Sequence, residues 1–268
     1  MNRNLLTKDL QRNLKAFLGW SFAAVIFIGI TVGIYSSMRE NMSMITALYA
    51  TLPESIMEAL NFGEDQWNTM LGFYSTYFVY YVPIMGGIFA YHLGERLLAI
   101  EEQNKTAEFL LSRPLSRNTI VASKLIVYSF YIKGFNILVY LMGLISCGLA
   151  SEWDYSTLNY TILHVYGVMF CLFIGYLGFF ISVIMKKAKS SLMIGIGIVM
   201  GSYVFDMVIR ITDQVQFLSY LTPFKYMRID VISPDYKLEV WRILVLFFAS
   251  VILLTLSFLR YRRKDILI

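Results

Sequence analysis

The sequence predicts an all-α integral membrane protein, a helical bundle of about six transmembrane helices with both termini cytoplasmic, and three observations carry that expectation. Hydrophobic residues make up 57% of the 268-residue chain and its mean hydropathy is +0.61, well beyond the roughly half-apolar make-up of a soluble domain. The charged residues, 15% of the total, fall in short clusters between apolar runs. Those runs approach about 20 residues, the length a helix needs to cross a bilayer core, and none alternates as barrel strands do. Lys and Arg outnumber the acids 23 to 18 and gather on alternate loops, which marks one side of a membrane rather than a nucleic-acid surface.

The elements follow in order. Leu6, Leu10, Leu14 and Phe17 recur at helical spacing among Arg3, Lys8, Arg12 and Lys15, so residues 1–15 read as an amphipathic interfacial helix. The first apolar run, Ala16 to Met38, is too long for a cleaved signal and lacks a small-residue cleavage site, so it is expected to stay as an anchor. An outer segment, 41–68, places Ile45, Leu48, Leu52, Ile56, Met57 and Leu60 around Pro53 in short amphipathic helices. The second run, Met70 to Ala90, is kinked at Pro83. A third lies within Ile120 to Ala150, a fourth spans Leu158 to Met185 and a fifth Ser191 to Ile209. A second outer segment, 212–239, carries Phe217, Leu218, Leu221, Phe224 and Tyr226 before the last run, Val240 to Leu259. The whole of 1–268 reads as one transmembrane domain, with both outer segments folded back as a cap.

Charge sets the orientation. Arg96, Lys105, Arg113 and Arg117 lie between the second and third runs, Lys186, Lys187 and Lys189 after the fourth, and Arg260, Arg262, Arg263 and Lys264 at the end. These segments, with the basic N-terminus, are expected in the cytoplasm. The alternate loops hold Glu54, Glu58, Glu64, Asp65, Glu152 and Asp154. Cys147 and Cys171 sit inside apolar runs and read as small core residues; His92 and His164 have no metal-ligand spacing, so neither a metal site nor a catalytic residue is expected.

The stretch from Glu95 to Lys124, ERLLAIEEQNKTAEFLLSRPLSRNTIVASK, is the most structured of the cytoplasmic segments. A short helix is expected over Thr106 to Ser112 with Asn104 as its cap; Pro114 ends it, and Ser116 caps the helix that enters the membrane. Phe109, Leu110 and Leu111 beside Glu101, Glu102, Glu108, Arg113 and Arg117 make a docking surface.

These residues resemble the ABC-2-type permeases of ABC transporters, on the pattern of an acid cluster, Thr-x-Glu-x-Leu-Leu-Ser-x-Pro-x-Ser-Arg and a lysine entering the next helix. Glu101, Thr106, Glu108, Leu110, Leu111, Ser112, Pro114, Ser116, Arg117 and Lys124 carry the match. Leu52-Pro53-Glu54, Thr222-Pro223-Phe224 and the closing Arg-Arg-Lys-Asp extend it over the chain. Members commonly have glycine before the threonine, where this chain has Lys105. The resemblance implies the transmembrane half of an exporter, with 95–119 as the cytoplasmic coupling segment that docks on a separate ATPase. It also implies a second permease subunit, identical or different, in a multi-pass assembly of the bacterial cytoplasmic membrane. No G-x-x-x-x-G-K-[ST] loop occurs, so ATP and Mg belong to the partner and this chain holds no cofactor of its own.

Further candidates are Gly29 and Gly33 in the first run and Gly197 and Gly201 in the fifth, whose spacing permits close helix approach at a dimer contact or within the subunit. Tyr74, Tyr77, Phe78 and Tyr81, with the intramembrane Lys133, are candidates for the wall of an amphipathic substrate path; an interfacial aromatic belt and a snorkelling lysine are the alternatives. Asp206 and Arg210 are spaced to pair on one helix face. The cargo expected is an amphipathic peptide, antibiotic or lipid-like molecule. An ion-coupled secondary transporter is the alternative function; it should show internal repeats and midplane charges.

Overall fold

The computed structural model describes residues 3–39, 41, 47, 51–53, 68–104, 106, 116–185, 192–211, 213–227 and 238–264, and every regular element among them is a helix. Helix α1 runs unbroken over Arg3–Arg39, about 55 Å, so the amphipathic start and the first apolar run share one axis instead of separating at residue 15. Its inward face carries Leu5, Asp9, Asn13, Ala24, Ile28, Val32 and Tyr35, and its outward face Leu14, Leu18, Phe22, Ile26, Ile30 and Ile34. Both sets keep the period of a helix face, but near the N-terminus the inward side is polar.

Helix α2 (Met70–Tyr81), a π-helical turn (Val82–Gly87) and α3 (Ile88–Gln103) form one composite through the centre of the bundle. The Thr69 hydroxyl caps α2, accepting from the Gly72 N–H at 3.1 Å. Pro83 has no N–H and its ring opposes the carbonyl four residues back, so the kink expected there takes the form of a widened π turn.

Helices α4 (Arg117–Ser151) and α5 (Thr157–Ile184) form a hairpin. Each begins at a serine whose hydroxyl accepts a backbone N–H, Ser116 from Thr119 at 3.2 Å and Ser156 from Asn159 at 3.3 Å. Glu152 and Trp153, at φ 55° and 66°, turn the chain between them, and the Trp153 ring folds over Gly148, where a Cβ would lie only 2.7 Å from ring atoms. Helix α6 (Leu192–Ile211) continues through two 3₁₀ segments, Asp213–Leu221 and Pro223–Met227, and α7 (Val240–Arg263) closes the bundle.

α1, α4, α5, α6 and α7 are each long and apolar enough to cross a membrane. The remaining expected crossing is the α2–α3 composite, which the π turn divides into two shorter helices. At the core, α3 and α5 meet backbone to backbone: a Cβ on Gly94 would stand 2.2 Å from the Gly175 carbonyl oxygen, and one on Gly178 would stand 2.5 Å from that of Tyr91. α1 lies along α4, and α7 along α5. Most of the outer segment 41–68 lies outside the described residues, as do 228–237 of the other and the basic stretch 186–191.

Candidate functional site

Four charged side chains converge where the start of α1, the end of α3 and the second turn of α4 meet. Lys124 Nζ, on α4, is 2.8 Å from Asp9 Oδ2 of α1 and 3.2 Å from Glu101 Oε1 of α3. Arg12 reaches the same Glu101 oxygen at 3.2 Å and lies 3.8 Å from Asp9 Oδ1. The Lys124 side chain is 1% exposed and that of Asp9 fully buried. The cluster holds two acids and two bases; Lys124 and Asp9 are sealed inside, and Arg12 lies at the edge, part exposed.

Local sequence explains how each group arrives there. Asp9 and Arg12 are one turn apart on α1, and Asn13 anchors the same turn by donating Nδ2–H to the Asp9 carbonyl at 2.8 Å. The Tyr131 hydroxyl of α4 donates to the Leu10 carbonyl, tying α1 to α4. Glu101 sits in the last turn of α3, which ends at Asn104; the residue expected to start the next helix is the C-cap of this one. Thr106 then folds back, its hydroxyl donating to Glu101 Oε2 at 2.6 Å and its N–H to the Glu101 carbonyl at 2.8 Å.

Glu101 lies outside the spans, within 95–119. Burial alone would raise its pKa, but the Thr106 hydroxyl and the Lys124 and Arg12 cations outweigh burial and hold it down to about 2. The carboxylate is therefore ionised at any physiological pH. Removing one partner of such a cluster leaves a buried charge uncompensated, which costs about 3–5 kcal/mol.

The other end of the same connection is fixed to a different helix. Arg117 Nη1 donates to the carbonyls of Lys264, Tyr261 and Arg262 at 2.6, 3.1 and 3.2 Å, so it caps the C-terminus of α7. Lys264 pairs with Glu102 at 2.8 Å and donates to the Ser182 carbonyl of α5 at 3.2 Å. The adjacent acids Glu101 and Glu102 thus point to opposite flanks, one to α1 and α4, the other to α5 and α7. Glu108, Phe109, Leu110, Leu111, Arg113 and Pro114 lie outside the described residues; the chain that carries them leaves at Thr106 and re-enters at Ser116, and both points are held.

The description "ABC-2 family transporter protein" belongs to a family model that matches residues 3–266, nearly the whole chain. The chain belongs to this family. It is an ABC transporter permease subunit, a multi-pass transmembrane component with no nucleotide-binding domain of its own, and membership implies partnership with an ABC ATPase subunit. No curated protein matches the chain.

In this ABC-2 permease the other candidate residues fall in three places. Gly29, Gly33, Gly197 and Gly201 are exposed, and among the described residues nothing comes within 4 Å of where their Cβ atoms would stand. Tyr74, Phe78 and Tyr81 are buried in the core, where the Tyr74 hydroxyl meets His164 Nε2 at 3.2 Å and receives a hydrogen bond from Tyr81, while Tyr77 is half-buried against Phe73. Lys133 is apart from them, exposed on α4 beside a groove against α5. The aromatic residues and Lys133 are thus not one wall.

Two parts of the site escaped the sequence reading. Asp9 was one acid in a basic flank, and its signal was the Leu5–Asp9–Asn13 spacing opposite Leu14 and Leu18. The tight helix contact is made by Gly94 of α3 with Gly175 and Gly178 of α5, a pairing across two helices that no single spacing shows. Asp206 and Arg210 do pair, Arg210 Nη2 and Nε both donating to Asp206 Oδ2 at 2.7 and 3.2 Å, and the Thr222 hydroxyl donates to the other oxygen, Oδ1, at 2.9 Å. Among the described residues no group of His, Cys, Asp and Glu is arranged to hold a metal.

Proposed function

We propose that this permease is the transmembrane subunit of an exporter that moves an amphipathic peptide, antibiotic or lipid-like molecule across the bacterial cytoplasmic membrane. A separate ATPase binds ATP and Mg and docks on the segment 95–119, which acts as the coupling helix. The observation that supports this reading is the anchoring of that segment at both ends, through Glu101 and Thr106 to α1 and α4, and through Arg117 and Glu102 to α7 and α5. A push on the segment is then felt by four helices at once, because ion pairs and backbone hydrogen bonds of this geometry resist shear. The outward glycines on α1 and α6, whose Cβ positions meet nothing among the described residues, support a second permease subunit against one or both faces. The working unit is then two permeases and two ATPases.

The test is co-purification with the ATPase, followed by substrate-stimulated ATP hydrolysis and transport in vesicles. An aspartate at Leu110 should leave the protein in the membrane yet abolish stimulation and transport, since a charge forced into an apolar contact is costly. Unaltered stimulation and transport in that variant would remove the docking role. Leucine at Gly197 and Gly201 should lower dimer yield in crosslinking; full dimer with normal transport would remove the interface.

A further inference from the structure

The outward stripe of α4 is apolar along its length, through Ile126, Phe130, Ile137, Leu141, Ile145 and Leu149, with one charged member, Lys133. Beside it a cavity of about 290 Å³ opens between α4 and α5. Ser129 and Leu172 line its lower end, nearer the Lys124 cluster, and Ile137, Val165 and Val168 continue it along the bundle. From Ser129 to Tyr140 the groove runs about 16 Å, at 1.5 Å per helical residue.

The polar groups of the lining are mostly spent on one another. Asn136 Nδ2 donates to the Ile132 carbonyl at 2.8 Å, the Tyr140 and Thr161 hydroxyls share a hydrogen bond at 3.1 Å, and His164 is engaged by Tyr74. Lys133 has no anionic partner among the described residues, and no acid lines the groove. A lysine among lipid-facing aliphatic residues needs a counter-charge, either water reached by snorkelling or an anion brought to it. It stands about 13 Å along α4 from Lys124, so its amine lies toward the basic side of the bilayer rather than the outer one.

We propose that the α4–α5 groove is a binding site for an anionic phospholipid of the leaflet on the basic side. The phosphate rests on Lys133, with the Ser129 hydroxyl one turn below it, and one acyl chain lies along Ile137, Val165 and Val168. The match is one of charge and shape: a cation toward the basic end of a groove whose other exposed lining is mostly apolar. A volume of this size suits a single chain and is small for a whole cargo molecule, so the site is distinct from a transport path. Basic pockets between helices on this side of a membrane select anionic headgroups at about 1 kcal/mol for each lysine, which corresponds to about fivefold in affinity.

The test is native mass spectrometry of the full-length protein released from detergent with phosphatidylglycerol or phosphatidylcholine, a readout independent of transport and of the ATPase. The wild type should retain phosphatidylglycerol about fivefold better than phosphatidylcholine. Lys133→Met should erase that preference, Lys133→Arg should keep it, and Val168→Trp, which fills the groove, should lower retention of both lipids. Lys133 faces outward, so its replacement should leave monodisperse elution unchanged. Equal retention of the two lipids by the wild type, or undiminished preference in Lys133→Met, would overturn the proposal. So would efficient disulfide crosslinking between subunits carrying Lys133→Cys, which would assign the groove to a second copy.

Discussion

The two ends of this bundle are held by different chemistry. At the basic end Asp9, Arg12, Glu101 and Lys124 form a closed cluster of charges from three helices, and Arg117, Glu102 and Lys264 tie in two more. Among the described residues of the opposite end the contacts are mainly hydroxyls and rings: Tyr160 donates to the Tyr140 carbonyl at 2.7 Å, Tyr155 to that of Leu144 at 3.1 Å, and Tyr166 bonds both the carbonyl and the N–H of Glu239, beside a part-exposed Arg242–Glu239 ion pair within one helix turn. One buried ion pair, Asp206–Arg210, joins them, and both of its members lie on α6. Charges that bridge helices make the helices move together; hydroxyls bonded to neighbouring carbonyls hold local geometry and break one at a time. The end that bears the connection from Thr106 to Ser116 is the end at which charges bridge helices.

That contrast can be broken from its strong side first. Lys124→Met leaves Asp9 and Glu101 facing each other with only Arg12 between them, and should destabilise the protein by about 3–5 kcal/mol in thermal unfolding in detergent. Adding Asp9→Asn should recover part of the loss; a double variant no more stable than Lys124→Met alone would show that the two residues do not act as a pair. Thr222→Val at the opposite end removes one donor to buried Asp206 and should cost about 1–3 kcal/mol by the same measurement. Tyr155→Phe, which deletes one half-buried hydroxyl bond, should cost about 0.5–1.5 kcal/mol. If Tyr155→Phe proved as damaging as Lys124→Met, the ends would not differ in the way described.

The smallest effect is that of pH. Glu101 is held down to about 2 from an unfolded value near 4.5, so its stabilising contribution is complete above about 4.5 and is lost as pH falls from there toward 2. Between pH 7 and pH 5.5 the unfolding midpoints of wild type and Glu101→Gln should therefore stay a constant distance apart. A gap that narrows within that range would show the carboxylate titrating far above where its partners hold it.

Particular residues show why the sequence carried the reading only so far. Ser116 as a cap and Pro83 as a break depend on chemistry within a few residues, and both hold their expected places, Pro83 as a π turn. Asn104 is the C-cap of α3, and Thr106 folds back onto Glu101, a contact that spacing alone does not disclose; the rest of the helix expected over Thr106 to Ser112 lies outside the described residues. The Gly29/Gly33 and Gly197/Gly201 pairs were visible because each lies on one helix, whereas Gly94 and Gly178 matter only because α3 and α5 run side by side.

The sequence by itself determined the membrane class, the helical bundle and the charged connection at one end, because length, apolarity and charge asymmetry act through the solvent and need no partner residue. Family membership came from the match over 3–266. Only the tertiary structure decided which charges neutralise one another and which glycines face nothing among the described residues. Residues as far apart as Asp9, Glu101 and Lys124 acquire a shared function only when three helices bring them within hydrogen-bond reach, in surroundings from which water is excluded.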